Sequence, residues 1–538
     1  MSMRNSAMMP APEAGSEGKS AAFAGTLFQS LLPVALAAAF VISAAVYAYA
    51  QPMVSAANPE FALWIAVAAG FGAYMAINIG ANDVANNIGP IVGSRVMTMY
   101  WALVMAAICE FAGAVIAGGE VTGTVRGGIV SPLAFTEGRV YVWVMMAALL
   151  AAALWLNVAT MLGAPVSTTH SIVGGVVGGG IAAAGVGVVN WPVMANIAAS
   201  WIVSPLLGAF TAAALLYGIK RLITYRSDIK AAAMIGVPFL VASMAAVFTC
   251  YLAFKGLSKI WKVGAPTALG LAAFVGALAW LAMRAFIASR ADQLDNSKDA
   301  VNSLLTVPLI LAGGLLCFAH GSNDVANAIA PLAGIIGVLT SGALGGQAAV
   351  PMWVMILGAL GLSIGLLLFG PRVVRTIGTE ITEIDAMRAY CIAMAATLTV
   401  ITASELGLPV STTHVTVGAV VGVGFLREWI KTRHDRLVAE IRSHHPEGDE
   451  AAVQRFLERF YSTPLAERKQ LLRDLKEDAK LRDDPIAKAD RKSLARAHKQ
   501  ALVSRALIIK IFAAWITTVP CTALISGLLY FTLRGMMI

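Results

Sequence analysis

Charge is what this chain of 538 residues has least of: Asp, Glu, Lys and Arg together make up 13%, about half the share found in ordinary soluble domains. Hydrophobic residues make up 58%, so most of the chain has to avoid water. Cysteine is sparse as well. The five present, Cys109, Cys250, Cys317, Cys391 and Cys521, are scattered through apolar stretches without a C-x-x-C pair, which excludes a disulfide framework and a zinc site. Period-two alternation is also missing. The apolar runs are long and rich in Ala, Leu and Gly, so an outer-membrane β-barrel is excluded. The net charge of +9 is assigned to loops on one side of a membrane, and no nucleic-acid partner is expected.

What the chain does have is length in its apolar runs. A hydrocarbon core of about 30 Å takes about 20 apolar residues as a helix, and roughly a dozen stretches of that kind can be placed. They include 27–50, 61–79, 101–118, 140–162, 197–218, 231–254, 267–287 and 352–369. The expected fold class is therefore an all-α polytopic membrane protein with the lipid bilayer as its surroundings. Residues 1–26 are rich in Pro, Gly, Ser and Ala and read as a disordered tail. The run at 27–50 ends in Ala48-Tyr49-Ala50, the small-residue form of a cleavage site. It is long for a signal peptide and weakly basic before the run, so an extra permanent transmembrane helix is expected.

Two polar motifs interrupt the oil, and each occurs twice. "GANDVANNIGP" (80–90) returns as "GSNDVANAIAP" (321–331), with Asp83 and Asp324 separated by 241 residues. "GAPVSTTHSIVGGVVGGG" (163–180) returns as "GLPVSTTHVTVGAVVGVG" (407–424), with Ser167 and Ser411 separated by 244. The chain is an internal duplication. "WIVSP" at Trp201 and "WITTVP" at Trp515 are 314 apart, which places an insertion of about 70 residues in the second half. The organisation expected is a first repeat over 61–230, connecting helices and loop over 231–303, a second repeat over 304–426, a charged insert over 427–505 and a last transmembrane helix over 506–538.

Loop charge orients the halves. The insert carries Arg427, Lys431, Arg433 and Arg436 at one end and Arg491, Lys492, Arg496, Lys499 and Arg505 at the other, whereas the equivalent loop of the first half, 181–196, has no charge. Juxtamembrane Lys and Arg mark the cytoplasmic side. Equivalent loops thus face opposite sides, the inverted repeat of many secondary transporters. Lys255, Lys259 and Lys262 run against this assignment, falling on the side it makes external. The insert itself reads as a solvated helical hairpin over "AAVQRFLERFY" and "PLAERKQLLRDLKEDAKL", and its His444 and His445 are weak metal-ligand candidates.

Within the first motif, Gly before and Pro after the polar cluster predict a broken helix, tolerated only where it is buried in protein or lines a cavity. An acid at that depth costs about 2.5–3.5 kcal/mol on insertion scales. Asp83 with Asn86, and Asp324 with Asn327, stand one helical turn apart and can turn oxygen ligands to one side, which is cation chemistry. Capping and core hydrogen bonding is the plainer alternative, weakened by the duplication. The second motif predicts a helix whose first turn holds Pro165 or Pro409. Its N-terminal N–H groups, with the hydroxyls of Ser167, Thr168, Thr169, Ser411, Thr412 and Thr413, would seat an anion, against the plainer reading of Ser and Thr as helix caps. An oxyanion near two carboxylates in a low dielectric is repelled unless a cation sits between them. Cation and anion should bind together.

At these residues the sequence resembles the inorganic phosphate transporter (PiT) family, over 61–426 and again from 506. The resemblance implies uptake of inorganic phosphate coupled to Na⁺ or H⁺, or as a neutral metal–phosphate complex. It implies substrate contacts at Asn82, Ser167, Thr168, Thr169, Asn323, Ser411, Thr412 and Thr413, and cation contacts at Asp83, Asn86, Asp324 and Asn327. No cofactor is implied beyond the coupling ion, and no metal beyond Na⁺. Relatives that carry sulfate exist, and the expectation is that phosphate outcompetes it. The extra first helix and the late charged segment depart from the family pattern. A membrane-embedded hydrolase using Ser167, His170 and Asp83 is the rival from another class, disfavoured because an enzyme has no use for a second inverted set. His170 and His414 are instead expected to hydrogen-bond between helices. Glu110 and Glu405 are either spare proton carriers or interfacial charges. The setting expected is a plasma membrane, a bacterial inner membrane in particular, with a homodimer left open.

Overall fold

A computed structural model describes residues 16–55, 58–119, 121–255, 263–341, 350–377, 384–442, 455 and 505–537. Fourteen long helices carry the fold among these residues. They are α1 (Ser16–Tyr49), α2 (Pro59–Gly93), α3 (Met99–Ala117), α4 (Gly138–Met161), α5 (Thr168–Ala184), α6 (Trp191–Ile219) and α7 (Ile229–Lys255). After them come α8 (Ala265–Ala288), α9 (Thr306–Asp324), α10 (Ala326–Ser341), α11 (Met352–Ile377), α12 (Ala386–Glu405), α13 (Thr412–Arg442) and α14 (Arg505–Met537). Eleven segments are long and apolar enough to cross a membrane, α9 and α10 counting as one, which makes this a polytopic all-α protein.

The ends of the elements follow from local chemistry. The Asn58 side chain accepts the Glu60 N–H (3.0 Å) and Pro59 occupies the first turn, so α2 starts sharply. At the far end of α4, the N–H of Ala164 bonds the carbonyl of Ala159 (2.9 Å) and Gly163 sits at φ +67°, a Schellman stop that needs glycine. The second half repeats it at the end of α12, with Leu408 N–H on Ala403 (3.0 Å) and Gly407 at φ +64°. Extended residues then lead to Ser167, whose hydroxyl accepts the backbone N–H of His170 (3.1 Å), and to Ser411, which does the same for His414 (3.2 Å). These serines cap α5 and α13. Pro165 and Pro409 therefore lie two residues ahead of the caps and not in the first turn.

Helix order fixes direction. From α2 to the α9–α10 span the chain crosses an odd number of times, so sequence-equivalent helices run oppositely: α2 against α9–α10, α3 against α11, α6 against α14. The halves interlock by exchange. A Cβ on Gly80 of α2 would overlap the Leu362 carbonyl of α11, and one on Gly321 of α9 would overlap the Glu110 carbonyl of α3. Gly113 against Phe318 and Gly365 against Ile77 form a second such pair, and Gly178 against Ala523 and Gly422 against Ala209 a third. Each pair keeps the repeat offset on both sides, so the inversion is carried through to backbone contacts. Small residues at these crossings let helices close without side chains between them.

Two expectations need correction. The helix is not broken at the Asp-bearing motifs: α2 runs through as 35 residues, and α9 and α10 are parted only by Val325, itself at helical angles (φ −57°, ψ −32°). Asn and Asp side chains there meet partners in neighbouring helices, so the backbone keeps its ladder. Pro90 and Pro331 are absorbed inside helices; each withdraws the N–H that would bond the carbonyl of Asn86 or Asn327. The chain turns back instead at the hydroxyl motifs, where α4–α5 and α12–α13 form hairpins. The second correction is α1, which begins at Ser16, inside the stretch expected to be disordered. The helical pieces expected within the insert, and His444 and His445, lie outside the described residues, although α13 continues to Arg442.

Candidate functional site

The tips of the two hairpins meet: the hydroxyl of Thr169, at the start of α5, donates to the carbonyl of Val410 in the opposite tip (3.0 Å). Two helix N-termini thus point into one place, each leaving first-turn N–H groups without intrahelical partners. Against them lie α2 and α9 with the Asp-bearing motifs. All twelve candidate residues are buried, from Asn82 and Asp83 at 0% to Asn86 at 3% exposure.

Their hydrogen bonds cross between the halves. Thr413 donates to Asp83 Oδ1 (2.9 Å) and accepts from Asn86 Nδ2 (2.9 Å). The mirror contact joins Asn327 Nδ2 to Thr169 Oγ1 (3.2 Å). Asp324 Oδ2 takes the hydroxyls of Thr412 (3.0 Å) and Thr168 (3.3 Å), one from each hairpin. Asn82 and Asn323 instead brace their own hairpins, Asn82 Nδ2 donating to Thr160 Oγ1 (3.1 Å) and Asn323 lying 2.8 Å from Ser404 Oγ. With its amide turned to suit its neighbours, Asn323 donates to Asp324 Oδ1 (2.9 Å) and to the Val410 carbonyl (3.2 Å). The pairing of the two motifs is thus mainly between halves.

Acceptor oxygens are left over. Asp83 Oδ2, Asn82 Oδ1 and Asn327 Oδ1 are buried without a hydrogen-bond donor. Unmet oxygens of this kind suit a hard cation, which binds through carboxylate and carbonyl ligands. Asp83, Asp324 and His320 each offer a ligand atom within 4.8 Å of the others'. On the face where α2 ends, a pocket of about 480 Å³ opens between Ser94, Arg95, Asn302, Thr306 and Asp385. Asp83 lies ten residues back along α2, about 15 Å of helix deeper.

His320 is the residue the sequence did not single out. Its Nε2 lies 3.1 Å from Asp324 Oδ2 and 3.6 Å from Asp83 Oδ2, and its Nδ1 lies 3.0 Å from Glu110 Oε1. A lone histidine in an apolar span next to "GSND" is a signal in itself. Glu110 is fully buried beside it while Glu405 is exposed at the end of α12, so the two spare acids are not alike.

His170 and His414 reach neighbouring helices through their rings: His170 lies tilted against Trp201 (3.8 Å between centroids), His414 stacks on Trp515 (3.6 Å), and the two meet edge-on at 4.4 Å. The Ser167, His170, Asp83 triad is accordingly not assembled: Ser167 meets the backbone of His170, and Asp83 meets Thr413 and Asn86.

Known proteins share this arrangement of sequence and fold. Residues 79–526 match the PHO4 phosphate transporter family. A Helicobacter pylori (strain J99) protein that carries a phosphate permease name is 46% identical over 518 residues, covering 94% of this chain and 96% of its own. The chloroplastic inorganic phosphate transporter 2-1 of Arabidopsis thaliana is 38% identical over 384 residues, covering 66% of this chain and 65% of its own. A solved structure, the sodium-dependent phosphate transporter, superposes with a TM-score of 0.68 at 28% identity, over 88% of this chain and 99% of that one. With its membrane helices and its two interlocked hydroxyl and carboxylate motifs, the chain belongs to the phosphate transporter family and is a multi-pass membrane protein, not an enzyme.

Proposed function

We propose that the chain is a symporter that imports inorganic phosphate together with a cation, through a bacterial inner membrane. The observation that carries this reading is the convergence of Asp83 and Asp324, from opposite halves, on hydroxyls at two opposed helix N-termini. The N-termini and the hydroxyls of Ser167, Thr168, Thr169, Ser411, Thr412 and Thr413 suit a tetrahedral oxyanion. Ser167 and Ser411 spend a lone pair on capping and keep an O–H to donate. Asp83, Asn86, Asp324 and Asn327, with the carbonyls freed by Pro90 and Pro331, suit the cation. Asn82 and Asn323 hold the hairpins at the site and border the anion.

The electrostatics support coupling. Asp83, Asp324 and Glu110 are three buried acids facing a single imidazole, so phosphate arriving alone meets like charge at low dielectric. A cation bound at Asp83 converts repulsion into attraction, and each ion raises the affinity for the other. Na⁺ is the favoured coupling ion, because the unmet ligands are oxygens and the superposing structure is a sodium-dependent phosphate transporter. Basic residues support a cytoplasmic insert: Lys220, Arg221, Arg226, Lys230, Lys298 and Arg388 stand at helix ends on the face from which α13 leaves.

Uptake of labelled phosphate into proteoliposomes tests the reading. An inward Na⁺ gradient drives accumulation in the wild type, and Asp83→Asn and Ser167→Ala reduce it. Phosphate hydrolase activity without accumulation, or accumulation indifferent to every imposed cation gradient, would contradict symport.

A further inference from the structure

The repeats match so closely around the site that their departures carry information. Among the buried positions that break the match, three lie together. His320 stands where the first repeat has Ile79, Glu110 where the second has Leu362, and Asn87 where the second has Ala328. The three polar residues touch in series: Asn87 Nδ2 donates to Glu110 Oε1 (2.8 Å), the same oxygen lies 3.0 Å from His320 Nδ1, and His320 Nε2 reaches both aspartates. Their apolar counterparts are equally buried, Ile79 and Leu362 at 0% and Ala328 at 1%. The fold closes this junction without polar groups in one half, and burying them in the other is costly unless they are paired. Packing alone does not call for them.

The chain of contacts also makes two sequence-equivalent acids unequal. Among the described residues, Asp324 Oδ2 takes the hydroxyls of Thr168 and Thr412 and lies 3.1 Å from His320 Nε2, whereas Asp83 Oδ2 meets no hydrogen-bond donor and lies 3.6 Å from the same nitrogen. We infer that Glu110, braced by Asn87, is a positioning residue: it holds the His320 ring against Asp324, making Asp324 a fixed joint between the hairpins and leaving Asp83 as the carboxylate that takes the coupling cation. This deepens the symport reading by naming which acid binds the cation and what keeps the other from competing. Around metal sites a carboxylate that orients a ligating histidine is worth about 10–100-fold in affinity; here the oriented histidine steadies Asp324 instead of binding the cation.

The internal repeat supplies the control. The double variant Glu110→Leu/His320→Ile copies the apolar pair that the other half already packs, and Glu110→Gln keeps the shape and an acceptor for Asn87. Purified proteins are titrated with Na⁺ alone while thermal unfolding is followed, and the Na⁺ concentration giving half the stabilisation is read. The double variant should need about tenfold more Na⁺ or above, with its unfolding temperature without Na⁺ at or above the wild-type value. Glu110→Gln should lose less than the double variant, because its amide oxygen can still accept from Asn87 and from His320. Asp83→Asn should abolish the Na⁺ response, and Asp324→Asn should weaken it without abolishing it. An unchanged Na⁺ midpoint in the double variant, equal losses from the two aspartate variants, or a wild type that Na⁺ does not stabilise would each overturn the inference. Because the readout is cation binding without transport, a failure of uptake would count against symport separately.

Discussion

Asp83, Asp324 and Glu110 are carboxyl groups at 0% exposure in spans where one such group costs about 2.5–3.5 kcal/mol to insert. Their hydrogen bonds come from threonines and asparagines of both halves, which offsets part of that cost, and the bonds of Thr413 to Asp83 and of Thr168 to Asp324 tie the site to the joining of the halves. Thr413 holds both Asp83 and Asn86, each at 2.9 Å. Thr413→Val takes one partner each from Asp83 Oδ1 and Asn86 Nδ2, which keep only each other at 3.4 Å, a loss of about 1–3 kcal/mol. A lower unfolding temperature in detergent together with weaker phosphate uptake is the expected result, whereas Thr402→Val, exposed on α12 and bonded only to its own helix, should change neither. Most of the site was legible at this scale, because Asn, Asp, Ser and Thr in apolar spans have few other uses and because they recur in register. His320 was not, since its partner Glu110 lies 210 residues away and the contact exists only after α3 and α9 pack. The stacking of His170 and His414 on tryptophans was hidden for the same reason: a ring's partner in another helix leaves no local mark.

Elements are held together by close approach more than by side-chain filling. Gly80 and Gly321 occupy equivalent crossings, and any Cβ there meets a backbone carbonyl that cannot swing aside. Gly80→Ala and Gly321→Ala should each destabilise by about 1–3 kcal/mol through overpacking. Gly89→Ala, where a Cβ meets nothing within 4 Å, should be neutral or slightly stabilising in the same α2 helix. Equal unfolding temperatures for Gly80→Ala and Gly89→Ala would contradict the packing account. The hydropathy of the runs set the helices well, but the expected break at the Asp motifs was misplaced. Gly and Pro do not end a helix by themselves, and α2 runs through both, with Pro90 costing it one backbone hydrogen bond. The turn-back falls at Gly163 and Gly407, where positive φ and a following Ser cap dictate it.

At the scale of the molecule, inversion is what lets one site serve two sides, since halves that exchange conformations exchange the face to which the site opens. Loop charge suggested it in the sequence because basic residues collect mostly on one face, Lys255, Lys259 and Lys262 excepted. Single cysteines at Asp295 and Gly187, in a background without the native five, should react with a membrane-impermeant thiol reagent from opposite sides of intact cells, the Asp295 position only after permeabilisation; labelling of both from one side would contradict the inverted arrangement. The exchange of contacts between halves, in which Thr413 reads Asp83 and Asn327 reads Thr169, could not be read from sequence spacing, because spacing reports order along the chain and not which tip faces which helix.

The central claim is that cation and phosphate share one site built from both halves and bind in concert. Equilibrium binding of labelled phosphate to the purified protein, measured over a series of Na⁺ concentrations at fixed pH, tests it most directly. The account predicts that phosphate affinity climbs with Na⁺ by about tenfold or more and that Asp83→Asn flattens the dependence. Phosphate affinity that stays the same from zero to saturating Na⁺ in the wild type would contradict it.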